Sequence, residues 1–254
     1  MSSVNQVALA KNYSTSWAPP LLPWGPVGPF DAPPPRDPDD ALWRTALSAV
    51  DANARENALA AVWEDLVRGQ LRVWCGTMTR DRVHLIAHVN RDHPSVNRND
   101  ASILVRVLCG DPQKVIASDL GIATSTASGR YLRALHQLDL ARRTLSLPLV
   151  LAAQSSAGIA RVPSAQSAVF KQRGQLALIV TVPRPTTARM TTLTRAEQQV
   201  AQCLIEGDSR EQIARKRRTS AHTVARQFSS IFTTLRVGGR YGLIRHAAEL
   251  LCFQ

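Results

Sequence analysis

The chain of 254 residues is poor in cysteine, and its cysteines form neither a Cys-x-x-Cys pair nor a metal-finger spacing: Cys75, Cys109, Cys203 and Cys252. Each lies among apolar neighbours, which favours small buried side chains over disulfides or metal ligands. Residues 178–182 form one of the longest apolar runs, far below the roughly 20 residues of a membrane helix. The first 17 residues contain no apolar core of a secretion signal. We therefore expect a soluble cytoplasmic protein without a membrane partner.

Acidic residues are in deficit as well. Nineteen Asp and Glu stand against 31 Lys and Arg, which gives a net charge of +12 and a pI near 10.7. Such an excess favours polyanionic partners, either nucleic acid or an acidic membrane surface, and charge alone does not choose between them. The hydrophobic content of 44% is typical of a folded protein.

Catalytic and cofactor motifs are also lacking. The sequence contains no phosphate-binding G-x-x-x-x-G-K-[ST] loop, no G-x-S-x-G elbow and no H-E-x-x-H pair. His84, His88 and His93 are the only clustered histidines, but on a strand His84 and His88 would stand about 13 Å apart, too far for one metal ion. We expect no enzymatic activity, no cofactor and no metal site.

Proline is concentrated at one end of the chain. Nine of the fifteen prolines fall within residues 1–40, a density that blocks helix and sheet alike. This segment is predicted to be a disordered or extended arm. Trp17, Trp24 and Phe30 could anchor a partner there, although packing on the protein's own body is favoured.

Residues 41–183 show mixed helix and strand patterns. Apolar periodicity predicts two helices over 40–68 with a break near 51–53. Two β-hairpins are expected, one around GTMTRD at 76–81 and one with its turn at Arg173–Gly174, together making a sheet of about four strands. A short linker is predicted at 184–192, followed by an all-helical domain at 193–254. The expected fold class is α+β.

The last 62 residues carry a series of helix start and stop signals. Capping boxes begin helices at Thr194 and Ser209, Gly207 ends the first helix, and Ser220 caps a third. That third helix, 221–235, has an apolar stripe of Val224, Phe228, Ile231 and Leu235. Short capped helices around a tight turn are typical of a helix-turn-helix, followed here by a fourth helix.

The opposite face of helix 221–235 is polar and suits a DNA major groove, because it presents donors and small side chains: His222, Arg226, Ser229 and Thr233. Just before it, residues 215–218 read RKRR, four cations suited to the sugar-phosphate backbone. An arginine-rich helix can also be a merely solvated face. The coincidence of caps, turn and polar face favours DNA binding.

The motifs of 193–240 resemble the DNA-binding domain of LuxR-type transcriptional regulators, whose pattern is LTxREREVL, G-x-S-x-x-x-IA, S-x-x-TV and K-L-G-V-x-S-R. The matching positions are Leu193, Thr194, Glu197, Val200, Gly207, Ser209, Ile213, Ala214, Ser220, Thr223, Val224, Leu235, Val237 and Arg240. Departures are Arg217 for Leu, Thr219 for Ile, Gln227 for His, and Thr-Leu-Arg at 234–236 for Lys-Leu-Gly. Arg217 and Thr219 are expected to weaken the inner face.

The resemblance implies a bacterial, sequence-specific DNA-binding regulator associated with the nucleoid. Double-stranded DNA is the expected partner, with RNA polymerase as a further one and a homodimer formed through helix 240–251. An alternative is an interaction adaptor whose basic tail binds nucleic acid without sequence choice. The expected DNA-contacting residues are Arg210, Arg215, Lys216, Arg218, Ser220, His222, Thr223, Arg226, Gln227, Ser230 and Arg240.

The same unit occurs once more, 97 residues earlier, in a helix-turn-helix-like segment at 101–140. Its residues align without a gap at Gly110, Asp111, Ile116, Ala117, Thr126 and Leu138. Leu120 and Ile122 take the places of Arg217 and Thr219 and predict a better core, whereas Gly129 replaces Arg226 on the outer face. Three roles stay open: a weaker DNA reader using Arg130 and Arg133, a packing unit, or a partner-binding unit. A structural or regulatory role is favoured.

Overall fold

A computed structural model describes residues 40–56, 58–89, 94–140 and 146–251. The proline-rich arm, His93 and Cys252 lie outside the described residues. Those described belong to one compact unit. Within these ranges, no helix is both long and apolar enough to cross a bilayer.

The described chain contains ten α-helices and five strands, which confirms the α+β class. In chain order they are α1 Asp40–Asn53, β1 Arg55–Glu56, α2 Leu59–Val67, β2 Leu71–Met78, β3 Arg82–Val89, α3 Arg98–Leu108, α4 Gln113–Asp119, α5 Thr124–Gln137, α6 Leu147–Ser156, β4 Gln166–Gln172, β5 Gln175–Pro183, a 3₁₀ turn Thr187–Arg189, α7 Arg195–Glu206, α8 Arg210–Arg217, α9 Ala221–Leu235 and α10 Arg240–Leu251.

The strands form one antiparallel sheet in the order β1-β4-β5-β3-β2. Both expected hairpins are present, β2–β3 and β4–β5, and β3 pairs with β5 to join them. Arg173 (φ 49°) and Gly174 (φ 81°) are both left-handed at the second turn, as a two-residue hairpin loop requires. The two-residue strand β1 adds a fifth strand that the sequence pattern did not predict.

Helices cover both faces of this sheet. α1 lies on one face and forms a small core with it through Leu42, Ala46, Ile86, Phe170 and Ile179. α2 and α6 lie on the other face, and their core continues into the helical parts of the chain as far as α10. Because apolar strand residues point alternately to both sides, this sheet is buried from both.

The two related helical segments have matching boundaries. We call α3, α4 and α5 (residues 97–140) the first repeat and α7–α10 (193–251) the C-terminal module. α3, α4 and α5 begin at 98, 113 and 124, and α7, α8 and α9 begin at 195, 210 and 221, so each pair is 97 residues apart. The chain therefore places three helices of the same lengths, to within one residue, in two successive segments.

The boundary segment 184–192 is packed on the C-terminal module. Thr187 is buried, its amide donates to Gln202 and its hydroxyl donates to the carbonyl of Gln198. The division of the chain into domains at this segment stays a prediction.

Two local expectations were wrong. Leu120 is 45% exposed and gives the first repeat no better core. Arg217, in the matching place, donates to the carbonyl of Ala196 and to Gln199 on α7, so it is an outer contact and does not disrupt the inner face. α9, in contrast, spans 221–235 as predicted, and Arg236, with a left-handed φ of 53°, stops it.

Candidate nucleic-acid interface

The start of α9 is fixed by its own side chains. The Ser220 hydroxyl accepts the amide of Thr223 at 3.0 Å and lies 2.9 Å from the Thr223 hydroxyl. Just before it, Arg218 ends α8 in the left-handed region (φ 51°), which turns the chain between the two helices. An N-cap of this kind satisfies a backbone donor that would otherwise be unpaired. The turn and the cap together set the direction of α9.

The inner face of α9 holds the helix against α7 and α8. Val224 and Ile231 are fully buried, and the rings of Phe228 and Phe232 lie 6.1 Å apart beside them. Four polar residues of the opposite face are exposed, as the sequence predicted: His222, Arg226, Ser229 and Thr233. The buried apolar side of α9 packs on the protein and holds the helix in place, so its polar side faces solvent.

A shallow groove of about 480 Å³ runs between the N-terminus of α7 and α9. Five of the predicted DNA-contacting residues share this groove with two residues of α7's capping box: Thr194, Glu197, His222, Thr223, Arg226, Gln227 and Ser230. The side-chain oxygen of Gln227 is buried there and, among the described residues, finds no hydrogen-bond partner. The groove therefore brings together side chains from two separate helices.

Glu197 ties the two walls of the groove together. One carboxylate oxygen accepts the Ser230 hydroxyl of α9 at 2.5 Å, and the other accepts the Thr194 amide at 2.9 Å. These hydrogen bonds, that of Ser230 foremost, hold the pKa of Glu197 below its usual value, so it stays a carboxylate near neutral pH. The capping box was readable from the sequence, but the link to Ser230 spans 33 positions and had no local signal.

The cations predicted to contact DNA differ in whether they form an ion pair inside the protein. Lys216 forms an ion pair with Asp208, and Arg210 forms one with Glu211. Arg215, Arg218 and Arg226 are exposed and, within the described ranges, form no ion pair. Those three guanidinium groups are available to an external anion without breaking a contact inside the protein.

Arg240 is directed into the protein and leaves the set of expected DNA contacts. Its guanidinium donates to the carbonyls of Leu204 at 2.8 Å and Ile205 at 3.3 Å, at the end of α7. Burial lowers its pKa, although nearby Tyr241 and Tyr131 act in the opposite direction. Cations bond favourably to the unpaired carbonyls of a helix C-terminus, which explains this placement.

The first repeat lacks the corresponding charge. Residues 97–140 contain five Lys and Arg against four acids, whereas the matching residues 194–237 contain eight against four. Two of its five cations are also engaged, since Arg106 pairs with both Asp111 and Asp119, and Arg133 pairs with buried Asp100. Gly129 leaves open space where α9 carries Arg226.

Capped α8 and α9, a tight turn, an exposed polar face and flanking cations define a DNA-binding helix-turn-helix module. The family described as GerE, bacterial regulatory proteins of the luxR family, matches residues 191–247. The C-terminal part of this chain is thus a LuxR-type module, as its sequence motifs predicted. Comparison with curated proteins and with solved structures gives no match to the chain.

Proposed function

We propose that the protein is a sequence-specific regulator of transcription that inserts α9 into the major groove of double-stranded DNA. The observation that carries this proposal is the exposed polar face of α9. The opposite face of the helix is buried, its N-terminus is capped, and three of the predicted cations, Arg215, Arg218 and Arg226, form no ion pair with any described residue. The luxR-family match of the same residues supports it.

We assign the residues of this surface to two kinds of DNA contact, base edges and phosphates. Arg226, His222 and Gln227 lie on or beside the outward face and are assigned to base edges, where an arginine can bond the two acceptors of guanine. Arg215 and Arg218, at the end of α8, are assigned to phosphates. Ser220 and Thr223 cap α9 and fix the orientation of its first turn. The helix dipole at this N-terminus favours an anion such as a DNA phosphate.

In this proposal Lys216, Arg210 and Ser230 contribute less to DNA binding. Each is hydrogen-bonded inside the protein, to Asp208, Glu211 and Glu197 respectively, so each would have to exchange that partner for a phosphate. The expected homodimer through 240–251 is not carried forward, because the apolar residues of α10 are buried in the chain itself. Residence with the nucleoid and contact with RNA polymerase would follow from a role in transcription.

The proposal is tested by selection from a pool of random duplexes with the full-length protein. We expect recovered duplexes to share a short motif, and Arg226→Ala to lose or relax that motif. Arg130→Ala, on α5 of the first repeat, is the matched control and should select the same motif as the wild type. Recovery of duplexes without any shared motif, at equal affinity, would instead favour the adaptor with a basic tail.

A further inference from the structure

The apolar face of α10 is occupied by other parts of the same chain. Six of its twelve residues are buried, and they pack against α6, α3 and α7: Gly242, Leu243, Ile244, Ala247, Ala248 and Leu251. α6 is the helix that follows the first repeat, just as α10 follows α9. The two segments therefore meet through the helices that come after their third helix.

A buried glutamine joins the two sides of this contact. Gln154 of α6 is fully buried, and its amide nitrogen donates to the carbonyl of Leu108 at 2.8 Å and to that of Tyr241 at 3.1 Å. Leu108 ends α3, and Tyr241 lies in the first turn of α10. The amide nitrogen of one side chain thus bonds backbone carbonyls of both segments, although the side-chain oxygen of Gln154 finds no partner among the described residues.

Three glycines allow the backbones to approach closely at the same place. A Cβ atom on Gly238 would lie 3.1 Å from the carbonyl oxygen of Gly110, and one on Gly110 would lie 3.1 Å from the Cα of Gly242. Burial, with the electrostatic effect of nearby Tyr241, raises the pKa of Tyr131 of the first repeat. Side chains larger than hydrogen would push these segments apart.

The outward side of α10 is polar. Glu249 is exposed, Arg245 is partly exposed and pairs with it at 3.8 Å, and His246 lies 4.0 Å from the same carboxylate. The large apolar residues of the helix, as far as it is described, that are only partly buried are Tyr241 and Leu250, and both pack against the chain's own core. A second copy of the chain would find no apolar stripe on α10 to pack against.

We propose that the first repeat, together with α6, is a built-in partner for the C-terminal module, so that one chain binds one asymmetric DNA site as a monomer. The first repeat holds α10 and orients the module, and only the module reads bases. The DNA part of this inference rests on the proposed function; the occupancy of α10 does not.

The stoichiometry of the full-length protein tests it. Sedimentation without DNA should give a single species near 27.8 kDa from micromolar to several hundred micromolar protein. With a duplex that carries the selected motif, the complex should contain one chain per duplex. A dimer in either experiment would overturn the inference that the chain acts as a monomer, and the following variants decide whether such a dimer uses α10. A monomer that binds no DNA would overturn the proposed function and leave the α10 contact standing.

Two substitutions on α10 separate an internal face from a dimer face. Ala248→Arg places a charge in the contact with the chain's own helices and should lower the melting temperature by more than about 5 °C while the chain stays monomeric. Glu249→Arg, on the outer side, should change the melting temperature by less than about 2 °C. A dimeric wild type that Ala248→Arg turns into a stable monomer with unchanged melting temperature would overturn the proposal.

A milder pair of substitutions tests the same contact in case Ala248→Arg prevents folding. Tyr131→Phe and Tyr241→Phe each remove one hydroxyl of the link between the first repeat and α10. Because both substitutions act on the same pair of neighbouring side chains, the double variant should lose no more melting temperature than the more damaging single variant. Fully additive losses, independent of protein concentration, would show that the two tyrosines do not act together and would overturn the assigned contact.

Discussion

A Cβ atom on Gly110 would lie 3.0 Å from the backbone nitrogen of Gly242. Gly110 lies two residues after the end of α3, and Gly242 lies in the first turn of α10, so two segments 132 positions apart meet backbone to backbone. Gly110 also has a φ of +96°, a conformation that residues with a side chain rarely adopt. Both the conformation and the contact therefore require glycine at this position.

Gly110→Ala is expected to destabilise the protein by about 2 to 4 kcal/mol, because backbone strain and overpacking each cost about 1 to 3 kcal/mol. Gly121→Ala is the matched control, since Gly121 also has a positive φ of +62° but open space around its Cβ position. It should cost only about 1 kcal/mol. Urea unfolding of both variants measures the difference, and equal losses would mean that the contact with Gly242 contributes nothing.

Gly129→Ala should act in the opposite direction. Gly129 lies in the middle of α5, is exposed and has nothing within 4 Å of its Cβ position. Alanine in a helix interior is more favourable than glycine by about 0.5 to 1 kcal/mol. We expect this gain in stability with unchanged DNA affinity. A loss of affinity would show instead that the backbone of α5 approaches DNA.

Arg236→Gly should stabilise the C-terminal module. Arg236 ends α9 with a φ of 53°, and it stands where the related pattern has glycine. Relief of the left-handed strain is worth about 1 kcal/mol. Arg236→Ala keeps the strain and removes the same charge, so it separates the two effects. Thermal unfolding should raise the melting temperature only for the glycine variant.

Arg226 and Arg215 should differ in how they discriminate among DNA sequences. Arg226→Ala should cost about 1 to 3 kcal/mol on the selected duplex and little on random duplexes, because its assigned partner is a base edge. Arg215→Ala should weaken both alike and reduce the slope of log K against log salt concentration by about 1. Lys216→Ala should alter that slope less, because Asp208 already pairs with this charge. Identical behaviour of the Arg226 and Arg215 variants on the two kinds of duplex would contradict the assignment.

His84 should make the stability depend on pH. Burial, with a smaller effect of nearby Arg82, lowers the pKa of this histidine from its ordinary value of 6.5, so the folded protein keeps it neutral. The unfolded chain takes up its proton near pH 6.5, and the free energy of unfolding therefore falls as the pH falls through that value. His84→Gln, which does not titrate, should flatten the dependence between pH 7.5 and about 5.5. His88→Gln should flatten it less, because His88 is less buried.

Much of the local structure could be predicted because its causes lie close together in the sequence. The boxes at Thr194–Glu197 and Ser209–Gln212 form as the motifs predicted, and the Arg173–Gly174 turn closes its hairpin. The outward face of α9 also followed from helical periodicity alone. In each case the interacting residues are close in the sequence, either within one or two turns of a helix or at the turn that joins two strands.

Expectations failed where distant segments decide the outcome. A leucine at position 120 reads as a core residue, but no helix of the first repeat covers it. Arg240 matched a DNA-contacting family position, yet the end of α7 takes its guanidinium. Gly238 carried no sequence signal of a tertiary contact, yet the carbonyl oxygen of Gly110 lies 3.1 Å from its Cβ position.

The insertion of the first repeat between strands β3 and β4 of the chain has a consequence for partial unfolding. The chain leaves the sheet at the end of β3, passes through the first repeat and α6, and returns in β4 and β5, where β5 pairs with β3 over seven residues. The first repeat is therefore closed into a loop by the ladder, whereas the covalent connection of the C-terminal module to the sheet is a single segment, residues 184–192. Release of the module from α6 and α3 would leave the ladder intact, but a motion that frees both ends of the first repeat must break the β3–β5 strand pair. Amide hydrogens of α9 should accordingly exchange with solvent at lower opening free energy than those of β3 and β5.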